Sequence, residues 1–165
     1  MLSTLKNRKE QGFTIIEVLI VLAIAGLILL VVFLAVPALQ RNARNTSRKE
    51  DVASIMGGVS EFVNNNNGNL PTAKIDTDAN TLTLGLNGTN QVPVSLGYYA
   101  PSDVNLTTFT TNGTNNNTTT DTVTLVTSAK CDPDDADIGK PVAGSTRAIV
   151  ALYTSEPNGK QCSES

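Results

Sequence analysis

Glu17 is a carboxylate set against Val18 to Leu39, a run of 22 residues that contains no charge. An ionised side chain at the edge of such a run costs on the order of 2.5 to 3.5 kcal/mol even on a lenient insertion scale, so a charge kept there implies a use. A cationic partner would offset that cost. Cutting the bond between Gly12 and Phe13 would make one, because it frees an α-amino group on Phe13, one helical turn before Glu17. A single helix gives that amine no fixed geometry toward Glu17. In a parallel stack of helices, the carboxylate of one copy meets the amine of its neighbour out of water. Such a pair sets the register of an assembly.

Two other groups carry chemistry. Cys131 and Cys162 lie near the C-terminus, beyond the apolar run. In an exported domain they read as one disulfide closing a loop of about 32 residues, worth about 3 to 4 kcal/mol on the chain-entropy description; two free buried thiols are the alternative. Asp132, Asp134, Asp135 and Asp137 follow Cys131 directly and offer hard oxygen ligands suited to calcium, or else form an acidic solvated loop. The spacing is not that of an EF-hand, which needs Gly where Asp137 stands and Glu where Ala143 stands. The chain has no His, and no nucleophile and base pairing or phosphate-cradling glycine loop is apparent. Neither catalysis nor an obligatory cofactor is expected.

The elements that must position these groups follow from hydropathy. As a helix, Val18 to Leu39 spans about 33 Å against a hydrocarbon core of about 30 Å, which is enough to cross a membrane. Lys6, Arg8 and Lys9 precede it and hold that end in the cytoplasm, so everything after Leu39 is expected outside. No small-residue cut site follows the run, so any cleavage falls before it. Pro37 removes one helical hydrogen bond, that to the Phe33 carbonyl, and predicts a kink. Arg41, Arg44 and Arg48 share one helical face, suited to lipid headgroups, to acidic neighbours in an assembly, or to plain solvation. Val52, Ile55, Met56, Val59, Phe62 and Val63 recur at amphipathic helical spacing and predict a face packed on a head domain. Gly57-Gly58 marks a bend or a close approach. A fresh helix capped at Ser47 and Glu50 competes with one continuous helix, which the absence of any stop signal but Pro37 favours.

The run Asn64 to Pro71 ends the helix. Beyond it, Thr- and Val-rich segments at Thr81 to Leu86, Gln91 to Tyr99, Thr122 to Ser128 and Thr146 to Thr154 predict an antiparallel sheet of about four strands. Asn-Gly turns at 87 and 112 punctuate them. Thr107 to Thr120 is nearly all Thr and Asn and suits a solvated loop.

Gly12-Phe13-Thr14-Ile15-Ile16-Glu17, with Gly26 inside the apolar run and Pro37 near its end, resembles the start of a type IV prepilin. The likeness covers Gly12 to about Val63. It departs in placing Pro37 about one turn later than most members do. The resemblance implies a membrane-embedded prepilin peptidase that cuts after Gly12 and methylates the amine of Phe13. It further implies an assembly platform with a motor, and a filament of identical subunits bundled through their helices, with membrane lipid as the partner before assembly. The implied fold is α+β: a long N-terminal helix packed on a small antiparallel β-sheet head. Its parts would be a leader at 1–12, a transmembrane and filament-core helix at 13–39, an amphipathic half at 40–64, and a head at 65–165 carrying the Cys131 to Cys162 loop.

Removing the leader's charges leaves nine basic and fourteen acidic residues, a net charge of −5. From Glu50 onward only five cations oppose thirteen carboxylates, so the head offers no basic field for nucleic acid. Three functions compete. The first is a structural subunit of a surface filament for adhesion, twitching motility or DNA uptake. A pseudopilin of a secretion or competence system has the same N-terminus. A membrane-anchored binding module would retain its leader and never polymerise.

Overall fold

The computed structural model describes residues 12–78, 80–86, 89–110, 121–133, 140–157 and 159–164. One α-helix, α1 (Ile15–Asn65), is followed among the described residues by a 3-10 turn at Pro101–Asp103 and nine strands: β1 (Ala73–Asp78), β2 (Thr81–Leu86), β3 (Thr89–Ser95), β4 (Val104–Thr108), β5 (Val123–Thr127), β6 (Ala129–Cys131), β7 (Pro141–Ala143), β8 (Ile149–Ser155) and β9 (Gly159–Glu164). The chain divides into two compact units, Met1–Gln40 and Arg41–Ser165. This is the α+β class expected, with one long helix and a β head.

α1 runs through both Pro37 and Ser47 without interruption. Of the two readings of residues 47–50, continuity is the one observed. The helix ends where the Asn run begins to turn: Asn67 and Gly68 both take positive φ, and the Gly68 N–H donates to the Val63 carbonyl at 2.9 Å. That bond satisfies a carbonyl the helix leaves open, and glycine adopts the required conformation without strain.

In the second unit three sheets form: β1-β2-β3, β4-β5-β8-β9 and the hairpin β6-β7. All strand pairs are antiparallel except β4 with β5. That parallel pair makes the larger sheet mixed, a refinement of the simple four-stranded antiparallel expectation. A parallel pair cannot be joined by a tight hairpin, so a longer stretch of chain separates β4 from β5. Residues 111–120 of the Thr- and Asn-rich stretch, and the Asn-Gly pairs at 87 and 112, lie outside the described residues.

Val52, Ile55, Met56, Val59 and Phe62 of α1 are buried against Leu82, Leu84, Val92 and Val94 of the first sheet and Val104, Val123, Leu125, Ile149 and Ala151 of the second. The amphipathic face read from the sequence is therefore the core face. Strand periodicity does the rest. On β8, Ile149, Ala151 and Tyr153 join this core, while Val150 and Leu152 point to a smaller cluster with Val126 and Ala129, beside Cys131 and Cys162. Apolar groups on both faces explain why β8 reads as a nearly continuous apolar run.

Polar anchors tie the helix to the head at two places. Asp51 accepts backbone N–H bonds from Gly97, Tyr98 and Tyr99, each at 2.8 Å, and fixes the turn after β3. About two turns earlier, Arg44 grips the Glu156 carboxylate with both Nε and Nη2 at 2.8 Å. The Asn45 side-chain amide meanwhile donates to the Glu156 carbonyl and accepts from its N–H. Arg48, 1% exposed, reaches Tyr98 Oη at 2.7 Å, Asp121 at 3.0 Å and Glu156 at 3.3 Å. Its guanidinium is thus committed to acids of its own head, and this corrects the reading of Arg44 and Arg48 as a face for lipid or solvent. The guanidinium of Arg44 is the main reason the Glu156 carboxyl is held below its ordinary value of 4.5.

The adjacent glycines of α1 differ sharply. A Cβ on Gly58 would collide with Val94 Cγ2, whereas one on Gly57 would meet nothing within 4 Å. Gly58 therefore marks a close approach of β3. Gly58→Ala is expected to lower stability by about 1 to 3 kcal/mol through overpacking. Gly57→Ala should raise it by up to about 1 kcal/mol through helix propensity. Denaturant unfolding of the detergent-solubilised chain measures both, and equal effects at the two positions would contradict the packing described. A carboxylate with a depressed pKa stabilises above its unfolded value and loses that contribution as pH falls through the folded one. The stability gap between wild type and Glu156→Gln should accordingly be full above about pH 4.5 and close below it; a gap that persists at pH 2 would contradict the ionic grip.

Candidate functional site

Gly12, Phe13 and Thr14 precede the first helical turn, so the bond between Gly12 and Phe13 lies in non-helical backbone. Gly12 is exposed, and a Cβ built on it meets nothing within 4 Å. Among the described residues nothing calls for glycine at position 12. Phe13 is 88% exposed.

Thr14 caps the helix. Its hydroxyl accepts from the Glu17 N–H at 3.3 Å, while its own N–H and hydroxyl donate to Glu17 Oε2 at 2.9 and 2.8 Å. This reciprocal pair is a capping box. Thr14-Ile15-Ile16-Glu17 has the same capping-box spacing as Ser47-Arg48-Lys49-Glu50. The structure thereby amends the premise that Glu17 needs a cation for any partner: hydroxyl and amide donors hold it within the chain. All the hydrogen bonds described to this carboxylate end on Oε2, and Oε1 remains for a second donor.

After Glu17 the helix presents its apolar side chains uncovered. Every residue from Val18 to Leu39 is exposed, including Leu27 at 65% and Phe33 at 74%. The segment is long and apolar enough to cross a membrane. An apolar surface of this extent on a soluble monomer is far above the few hundred Å² such proteins expose, so it must be covered by lipid or by protein.

A family model for the prokaryotic N-terminal methylation motif matches residues 7–33. The chain carries a prepilin-type cleavage and methylation signal. The match takes in Arg8 and Lys9, the Gly12-Phe13 junction, Glu17 and most of the apolar run. It supports a type IV pilin-like or pseudopilin protein and, with it, a structural subunit in place of an enzyme. No curated protein matches the chain. No solved structure matches it either.

The remaining sequence candidates fall elsewhere. Cys131 and Cys162 form a disulfide with Cα atoms 5.9 Å apart, tying β6 to β9. Of the acidic cluster only Asp132 is described, and its N–H donates to the Lys140 carbonyl. Asp134, Asp135 and Asp137 lie outside the described residues. Among the described residues no group of three or more metal-ligating side chains occurs.

Because Gly12→Ala creates no clash in this chain, its effect isolates the demand of the cleaving enzyme. The variant should keep the fold, leave the head's thermal unfolding unchanged, and accumulate uncut in the membrane. Protein beginning at Phe13 in normal amounts from Gly12→Ala and from the larger Gly12→Val would refute the demand for glycine before the cut.

Proposed function

We propose that this chain is a structural subunit of a type IV pilus. The observation that carries the reading is the joining of the methylation motif at residues 7–33 to a membrane-length apolar helix with nothing covering it among the described residues. The precursor sits in the cytoplasmic membrane with residues 1–12 inside and the head outside. A prepilin peptidase cuts after Gly12 and methylates Phe13. The assembly machinery then moves the helix at 13–39 out of lipid and into a bundle of identical helices, where packing with neighbours replaces packing with acyl chains. Residues 40–64 join this core to the head at 65–165.

Glu17 fixes the register. Its Oε2 is held by Thr14, and its Oε1 accepts the Phe13 amine of the neighbouring subunit, an ionic hydrogen bond strengthened by the loss of water. Pro37, which leaves the Phe33 carbonyl without its helical donor, is the place for a bend when the bundle forms. Adhesion, twitching motility and DNA uptake are the roles such a filament serves. The same signal fits a pseudopilin. The disulfide between β6 and β9 favours the pilus subunit. The reading requires no cofactor.

Glu17→Ala should abolish or strongly lower the filament recovered by shearing while leader removal proceeds as in wild type. Glu17→Gln retains the capping acceptor and loses the charge, so it should cut normally and assemble poorly as well. Normal filament yield from both variants would sink the amine pairing. Normal yield from Glu17→Gln alone would reduce Glu17 to a helix cap.

A further inference from the structure

A groove of about 490 Å³ opens in the head where the loop after α1, the end of β2 and the outer strand β4 converge. That volume is within the range of ligand-sized clefts. Hydroxyl-bearing residues, among them Thr107, Thr127 and Ser128, line it, together with Leu70, Pro71, Leu86 and Leu106. Asn69 adds an amide. Among the described residues no ionisable side chain contributes to this lining, although the chain from Glu50 onward holds thirteen carboxylates and five cations.

Ser128 stands out in this lining. It is held at φ 60°, the left-handed region where a non-glycine residue costs about 1 to 3 kcal/mol and where such strain gathers at ligand sites. Its backbone is locked there: the N–H donates to the Ala148 carbonyl at 2.7 Å and the carbonyl accepts from the Gly144 N–H at 2.9 Å. Glycine would take this conformation freely, so a serine at this position of the lining is kept against a backbone cost.

A hydroxyl both donates and accepts, and an amide does the same with separate atoms. The Thr127 hydroxyl donates to the Thr107 carbonyl at 3.3 Å and keeps its lone pairs. A wall of this kind matches a ligand that is uncharged and polyhydroxylated, with C–H faces to lay on the leucines and the proline. An anionic chain would find no cation in the described lining, and a cationic one no carboxylate. We propose that this groove binds a short neutral saccharide. The site lies wholly in the head and does not depend on the filament reading.

The test uses the full chain in a phosphocholine detergent, which avoids sugar headgroups, titrated with maltotriose, cellotriose and triacetylchitotriose, with sialyllactose as an anionic control. Calorimetry and saturation-transfer NMR should show saturable binding of at least one neutral trisaccharide and weaker or no binding of the anionic one. Ser128→Gly should lower that affinity about fivefold, the effect of one neutral hydrogen bond, while its unfolding midpoint stays equal or rises. Thr107→Val should weaken binding similarly. Failure of all three neutral sugars to bind would overturn the proposal. So would binding that neither substitution weakens, or undiminished binding of sialyllactose.

Discussion

An α-helix leaves no backbone group of its interior in need of water, so what it tolerates as a solvent is decided by its side chains, and α1 has side chains for two solvents. From Val18 to Leu39 they are apolar on every face; from Arg41 to Asn65 they are apolar on one face and polar on the other. The first stretch is at rest only in lipid or among similar helices. The second is at rest against a sheet with water on its far side. Everything else in the chain serves one of these two requirements.

For the second stretch, apolar burial and polar anchoring act together. Ile55, Val59 and Phe62 are fully buried, which supplies the attraction between helix and sheets. Attraction of that kind is not directional. Direction comes from Asp51, whose carboxylate collects three backbone donors, and from Arg44, Asn45 and Arg48, which converge on Glu156 at the turn between β8 and β9. Because these anchors lie about a turn apart on one helix and hold segments far apart in sequence, a sliding of the helix along the sheets would break all of them at once. At the opposite end of the helix, Thr14 and Glu17 satisfy the first open donors, which places the helix start immediately after the proposed cut. Cleavage at Gly12 would therefore leave the helix intact.

Within the head, legibility in the sequence followed burial. The membrane-length run was visible through its unbroken apolar length although none of it is buried by the chain itself, whereas the amphipathic face and strands β2, β5 and β8 were visible because clear periodicities and apolar runs belong to elements buried on at least one face. The missed strands of five or six residues, β1, β4 and β9, all lie at sheet edges. Ala73–Asp78 and Gly159–Glu164 are mostly polar, as edges exposed to water tend to be, and Ile75 is the one large apolar residue in either. β3 is also an edge, and its Pro93 was compatible with a strand for that reason. The arginines at 44 and 48 were visible as a basic face, but their partners Glu156 and Asp121 lie more than seventy residues away, and spacing along a helix says nothing of such pairings. Within the candidate site, Gly12, Phe13 and Glu17 were singled out by type and spacing, and the methylation-motif match covers all three. Thr14 was not, because its role is a hydrogen-bond geometry that a four-residue pattern permits without requiring.

The central claim is that residues 1–12 are removed to make an assembling helix that begins at Phe13. Intact mass and N-terminal sequencing of the protein recovered from its native membrane and from the sheared surface fraction test it most directly. A surface form that begins at Phe13 and carries one added methyl group is the result predicted. A chain that still begins at Met1 in both fractions, in cells that process other prepilins, would contradict it.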